Sequence, residues 1–148
     1  MRILKVRFNS EAELRRKLRA KRFESEVIDL TIERLRSERW LDDERFAGAF
    51  VRTRSNKRVG KLRIRRELHA AGVSEEEAKK AIAENVDPER EREGLVALCA
   101  KRMRNLVRKH GPEYVKTEDG RANLCGYLIA QGYDSTLVRQ VVREAASE

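Results

Sequence analysis

The sequence predicts an all-α fold: an elongated tandem array of three-helix repeats, three in number, the first lacking most of its leading helix. Three observations carry this reading. The 148 residues include only 8 glycines and 2 prolines, too few for the many turns of a β fold. The commonest residue types, Arg, Glu, Leu, Ala and Val, are mostly good helix formers. The chain also repeats itself. With Leu18, Leu68 and Leu128 in register, Leu14, Ile64 and Leu124 coincide, and so do Arg22, Gly72 and Gly132. Phe23, Val73 and Tyr133 follow, then Ile28, Ala78 and Val138, then Ile32, Ile82 and Val142, all without a gap.

Repeat one spans residues 1–41. Ser10 and Glu13 form a capping box that opens the helix carrying Leu14 and Leu18. An apolar pair at i, i+4 followed by a Gly-apolar pair marks a helix ending in a left-handed cap. Arg22 stands where the later repeats have glycine, so that turn should either carry strain or take another shape. The next helix opens at Glu24. Of the leading helix little remains, and Met1–Phe8 is either its last turns or an irregular start.

Repeat two spans residues 42–86. Asp42 or Asp43 caps a helix carrying Phe46, Ala47, Phe50 and Val51. A loop at Ser55–Gly60 leads to the helix of Ile64 and Leu68, the Gly72 turn, and a last helix opened by the Ser74–Glu77 capping box. Repeat three spans residues 87–148. Asp87 caps, Pro88 takes the first helical position, and Leu95, Leu98, Cys99, Met103 and Leu106 form a helical stripe. Gly111-Pro112 stops that helix near His110, residues 111–120 read as a loop, and Asp134 opens the final helix after the Gly132 turn. A 50-residue unit with 5% aromatic residues buries no large core alone. Stacked units bury a continuous one, so the three repeats read as one continuous, curved domain. Leu41, Phe46, Phe50, Leu68 and Leu128 read as core.

Cys99 and Cys125 form no C-x-x-C pair and sit in apolar helical contexts, so they read as buried free thiols. No apolar run approaches the ~18 residues of a membrane span, and the start of the chain is too short and charged for a signal peptide. A cytoplasmic protein is expected, probing no membrane and acting on no small-molecule substrate.

Little in the sequence suggests catalysis. His69 and His110 have no metal partner at helical spacing, and no phosphate-loop, dinucleotide, nucleophile-elbow or zinc-protease motif occurs. Asp42-Asp43 fits a helix cap better than a metal site. A protein that is no enzyme and carries neither metal nor cofactor is expected.

The chemical signal is basic. The net charge is +9, and residues 1–66 hold 21 basic against 10 acidic side chains, a local +11. Residues 52–66 carry eight cations and no acid: Arg52, Arg54, Lys57, Arg58, Lys61, Arg63, Arg65 and Arg66. A second acid-free run holds Lys101, Arg102, Arg104, Arg108 and Lys109. Such a face meets either nucleic-acid phosphates or an acidic protein surface. No aromatics interleave with it, so base stacking is unsupported. The helices after the turns open with Glu75-Glu76-Glu77, or carry Glu24, Glu26, Asp29 and Glu33, which would face phosphates. Major-groove reading is therefore disfavoured, and any nucleic-acid contact should be sequence-blind.

Leu41-Asp42-Asp43-Glu44-Arg45-Phe46-Ala47, Phe50-Val51-Arg52, Arg54, Gly60, Arg63-Ile64, Glu67-Leu68 and Gly72-Val73 together resemble the RecX family, bacterial regulators of the RecA recombinase. Ser10, Glu13-Leu14, Lys17-Leu18, Phe23 and Val27-Ile28 resemble its first repeat, and Gly132-Tyr133 with Leu137-Val138 its third. The chain departs from the family pattern at Arg22 and at Arg39-Trp40, where glycine is preferred. The resemblance implies tandem three-helix repeats and a monomeric, non-enzymatic partner of RecA filaments that lies in the filament groove. It implies restraint of filament growth, ATP hydrolysis, strand exchange and repressor cleavage. Single-stranded DNA is a second candidate partner. The expected contact residues are the eight cations of 52–66 with Lys101, Arg102 and Arg104. The rival reading is a sequence-nonspecific nucleic-acid-binding protein using the 52–66 face.

Overall fold

Most described helix starts are set by short polar side chains, and five helix ends by left-handed residues. The computed structural model describes residues 9–147. Among them it contains eight α-helices, one short 3₁₀ turn and no strand. The helices are α1 (Glu11–Ala20), α2 (Ser25–Ser37), α3 (Asp43–Asn56), α4 (Lys61–Ala70), α5 (Glu75–Asn85), α6 (Pro88–His110), α7 (Glu118–Ala130) and α8 (Ser135–Ala146). The reading of Met1–Phe8 as helix remnant or irregular start lies outside the described residues. No described helix is long and apolar enough to cross a membrane.

The caps follow the sequence with two corrections. Ser10 Oγ accepts from Glu13 N–H at 3.1 Å, Ser74 Oγ from Glu77 N–H at 3.2 Å, and Asp87 and Asp134 cap α6 and α8. Asp42 caps α3, accepting from Arg45 N–H at 3.2 Å. Asp43 turns away and accepts from Glu11 N–H at 2.9 Å, satisfying an orphan donor of a different helix. Glu24 occupies the cap position of α2 but makes no side-chain cap, because its longer side chain is a poor geometric match for the N-cap. The stretch 111–120 is not one loop. A 3₁₀ turn fills Tyr114–Lys116, and Thr117 caps α7, accepting from Gly120 N–H at 3.0 Å, so the helix starts at Glu118.

Five helices end in the same Schellman motif. Its left-handed residue is Arg22 (φ 65°), Arg39 (φ 61°), Arg58 (φ 59°), Gly72 (φ 85°) or Gly132 (φ 100°). In each, the apolar residue that follows bonds back five residues, as Phe23 N–H does to Leu18 O and Tyr133 N–H to Leu128 O. Arg22 thus keeps the shape glycine would take, at a conformational cost.

The described residues divide into two compact units, residues 9–51 with 65–85, and 52–64 with 86–147. In the first, Leu14 and Leu18 of α1 pack with Ile28, Ile32 and Leu35 of α2 and with Leu41. Phe46, Ala47, Val51, Leu68, Val73, Ala78 and Ala81 are also buried, whereas Phe50, expected in the core, is half-buried with its ring 5.8 Å from that of Phe46. In the second unit, Leu95, Cys99 and Leu106 of α6 meet Val115, Leu124 and Leu128, and Tyr133 with Val138, Val141 and Val142. Cys99 is buried; Cys125 is only half-buried, because it faces the margin of that core.

Each unit contains one head-to-tail helix junction built around a glycine turn. In the second unit, Gly60 N–H donates to Gln131 O at 2.8 Å and Leu62 N–H to Gly132 O at 3.0 Å. The orphan donors of the α4 start are thereby satisfied by the orphan carbonyls of the α7 end, with opposite dipole ends facing. A Cβ at Gly132 would lie 2.4 Å from Arg63 Cβ and 2.6 Å from Arg63 N; one at Gly60 would lie 2.3 Å from Gly132 C. In the first unit Ser10 stands at the place of Gly60. Its buried hydroxyl donates to Ala71 O, and a Cβ at Gly72 would lie 2.2 Å from Ala12 Cβ. The residue after each seated turn is buried, Val73 and Tyr133 at 2% exposure each, while Phe23 after the unseated Arg22 turn is 50% exposed.

Glycine is thus required where a helix start sits on the turn, not merely where φ is positive. Gly132→Ala should cost roughly 2–4 kcal/mol, from left-handed strain plus weakened junction hydrogen bonds. Arg22→Gly should stabilise by up to about 1 kcal/mol, the relieved strain less the entropy of glycine. Urea denaturation measures both; equal effects at the two turns would contradict the seating.

Candidate partner-binding surface

Residues 52–63 and 101–104 belong to the second compact unit; Arg65 and Arg66 belong to the first. The structure sorts these cations by whether the protein already uses them. Arg65 pairs with Glu75, which also pairs with His69 and lies 3.8 Å from Lys79 Nζ. Those contacts hold the Glu75 carboxyl below its ordinary range despite the opposing effect of burial, which is the largest single influence. Arg63 is half-buried at the α4–α7 junction and reaches Gln131 Oε1 at 3.3 Å. Arg102 lies over the Tyr127 ring, 4.5 Å from its centroid, and donates to Asn123 Oδ1 at 3.1 Å. These three arginines are tied into the fold.

The side chains of Lys57, Arg58, Lys61, Arg66, Lys101 and Arg104 are exposed. Lys57 and Arg58 close the C-terminal end of α3, where the helix dipole favours cations. Lys61 stands in the first turn of α4, which contains no acid and where the dipole favours one. Arg52 is exposed and Arg54 half-buried on the last turns of α3. Arg58 also occupies a strained left-handed position, so Arg58 stands against backbone preference and Lys61 against dipole preference.

A buried group lies beneath this turn that the sequence reading missed. Tyr133 is 2% exposed, and its phenol is pushed up to about 12 by burial and by the nearby Glu91 charge, with Arg58 opposing. Burial likewise raises Glu91, Lys61 opposes that rise, and Asp134 adds to it. Arg58 and Lys61 are therefore brought to one acid and one phenol contributed by residues 30 to 75 positions away in sequence. Only the Gly132-Tyr133 column of the repeat signalled this; nothing local marked Glu91.

The sequence comparisons agree in direction. Residues 42–82 match the family description "RecX, second three-helix domain" and residues 1–35 match "RecX, first three-helix domain". The chain is 33% identical to the regulatory protein RecX of Escherichia fergusonii, covering 99% of this chain and 89% of that one. It is 35% identical to that of Salmonella paratyphi A over the same shares. A crystal structure of regulatory protein RecX superposes with a TM-score of 0.81 at 22% identity, covering 96% of this chain and 66% of that longer one. The structure of RecX from Lactobacillus salivarius superposes at 0.80 with 19% identity, covering 99% and 92%. At these identities the two superpositions speak to the fold.

Tyr133 yields a pH prediction. Its folded-state value lies above the ordinary 10.0, so the unfolded chain loses the phenolic proton first as pH rises. Stability should fall between about pH 10 and about pH 12, and absorbance titration should show one of the three tyrosines ionising near 12. Tyr133→Phe should remove that late step; its persistence would contradict the assignment.

Proposed function

The chain belongs to the RecX family of regulatory proteins, and we propose that it binds RecA filaments on single-stranded DNA and restrains their growth. The observation that carries this reading is the cluster of exposed cations at the α3–α4 turn, Lys57, Arg58 and Lys61, two of them held against local backbone or dipole preference. Left-handed strain disfavours Arg58 and the helix dipole disfavours Lys61, and Glu91 beneath the turn offsets part of the second. Their retention is accounted for by a partner that presents carboxylates or phosphates.

The mechanism is occlusion. A regulator seated on the filament blocks addition of further RecA protomers and favours their loss. ATP hydrolysis, strand exchange and repressor cleavage then fall together, because all depend on filament length. Arg52, Arg54, Lys101 and Arg104 extend the contact on the second unit, and Arg66 is an expected contact of the first. Arg63, Arg65 and Arg102 support it from within the fold.

The second reading is sequence-blind coating of nucleic acid by the same exposed cations. Glu75, Glu76 and Glu77 keep the helix after the Gly72 turn away from base edges. In that case binding follows salt alone.

The test is RecA ATPase on single-stranded DNA, titrated with this protein at two salt concentrations. Inhibition is expected well below one regulator per RecA protomer. Lys57→Glu, Arg58→Glu and Lys61→Glu together should weaken it by at least about tenfold without loss of helicity. Arg65 is left unchanged, because its guanidinium holds Glu75. Inhibition only near saturation of the DNA, vanishing with salt, would establish coating instead.

A further inference from the structure

Helix α6 is longer than its core stripe requires. Leu95, Cys99 and Leu106 face the core of the second unit. One step around the helix, Val96, Ala100, Met103 and Val107 recur at i, i+4, i+7 and i+11, a second apolar stripe beside the first. With Val141 and Ala145 of α8 they line an open groove of about 710 Å³. Val96 is 46% exposed, so the groove is not closed by the chain's described residues.

The rim of the groove is basic. Arg104 and Arg108 flank it on α6, both exposed and both without an ion pair among the described residues. The acid at the groove, Glu144, is already held by Arg92 at 2.8 Å and by Gln140 at 3.2 Å. The uncompensated charge at the groove is therefore positive. From Val96 to Val107 the stripe runs roughly 17 Å at 1.5 Å per residue, the length of a three-turn helix.

We propose that the α6–α8 groove is a docking site for an amphipathic acidic helix of a partner protein. Its apolar face would lie on Val96, Met103 and Val107, and its carboxylates on Arg104 and Arg108. Such a helix matches the groove in length, apolarity and charge; a basic or uniformly apolar helix matches only in part. The site rests on the chemistry of the groove and holds whether or not the α3–α4 turn contacts RecA.

The probe is a fluorescein-labelled synthetic amphipathic peptide of about 15 residues, leucine on one face and glutamate on the other. Its counterpart has lysine for glutamate. Fluorescence anisotropy should show micromolar binding of the acidic peptide to the full chain and at least about tenfold weaker binding of the basic one. Val96→Glu and the pair Arg104→Glu, Arg108→Glu should each weaken the acidic peptide by about tenfold or more. All three positions are exposed, so unchanged thermal denaturation is expected and confirms folding. No binding, or equal binding of both peptides, would overturn the proposal. So would sedimentation showing a dimer that Val96→Glu dissolves, because a second copy would then be the occupant. The Lys57, Arg58, Lys61 variant should bind the peptide normally, which separates failure of this site from failure of the filament reading.

Discussion

The junction between a helix start and a glycine turn is the constraint on which this structure depends. Five helix ends share one left-handed geometry, and arginine adopts it at three of them. What arginine cannot do is allow another helix to sit on the turn. At Gly72 and Gly132 the added Cβ would meet Ala12 or Arg63 at a distance that real contacts do not reach. The junction pairs donors that a helix start leaves unsatisfied with acceptors that a helix end leaves unsatisfied. The turn of one repeat thereby closes a helix start of the repeat before it, and α4 opens at Gly60 with no capping side chain, whereas α1 keeps its Ser10 cap. Arg22 departs from the glycine pattern because no described helix start is seated on its turn.

Much of this was legible in the sequence. The repeat register, the all-helical class, the Ser10, Ser74, Asp87 and Asp134 caps and the stripe of α6 follow from spacing and residue type. What was not legible depends on distant partners. Asp42 and Asp43 were equal candidates for the cap of α3; Asp42 takes it, and Asp43 serves Glu11, 32 residues earlier. Arg63, Arg65 and Arg102 read as members of exposed basic runs. Their acceptors, Gln131, Glu75 and Asn123, arrive from other helices. The start of α7 was misplaced because Thr117 lies among loop-forming residues, and its capping role shows only when Gly120 packs on Tyr114.

The same sorting organises the functional reading. A basic run of eight is not eight equivalent contacts. Arg63, Arg65 and Arg102, among the eleven cations expected to face a partner, are bonded within the fold, and removing those would report on stability as much as on binding. Arg58 and Lys61 sit against a local backbone or dipole preference, beside Lys57 at a helix end that favours a cation. The α6–α8 groove differs in kind, apolar at its floor and basic at its rim. An array that regulates a large assembly gains from two chemically distinct contacts, because neither alone need be strong.

The central claim, that a helix start is closed by the glycine turn of another repeat, is tested most directly by amide hydrogen exchange at Gly60 and Leu62. Both N–H groups belong to a helix start, where exchange is ordinarily fast. Here both donate across the junction, at 2.8 and 3.0 Å. The account predicts protection at these two amides comparable to that of the α7 core, lost together when Gly132 is replaced by alanine. Rapid exchange at both in the unaltered protein, with α7 still protected, would contradict it.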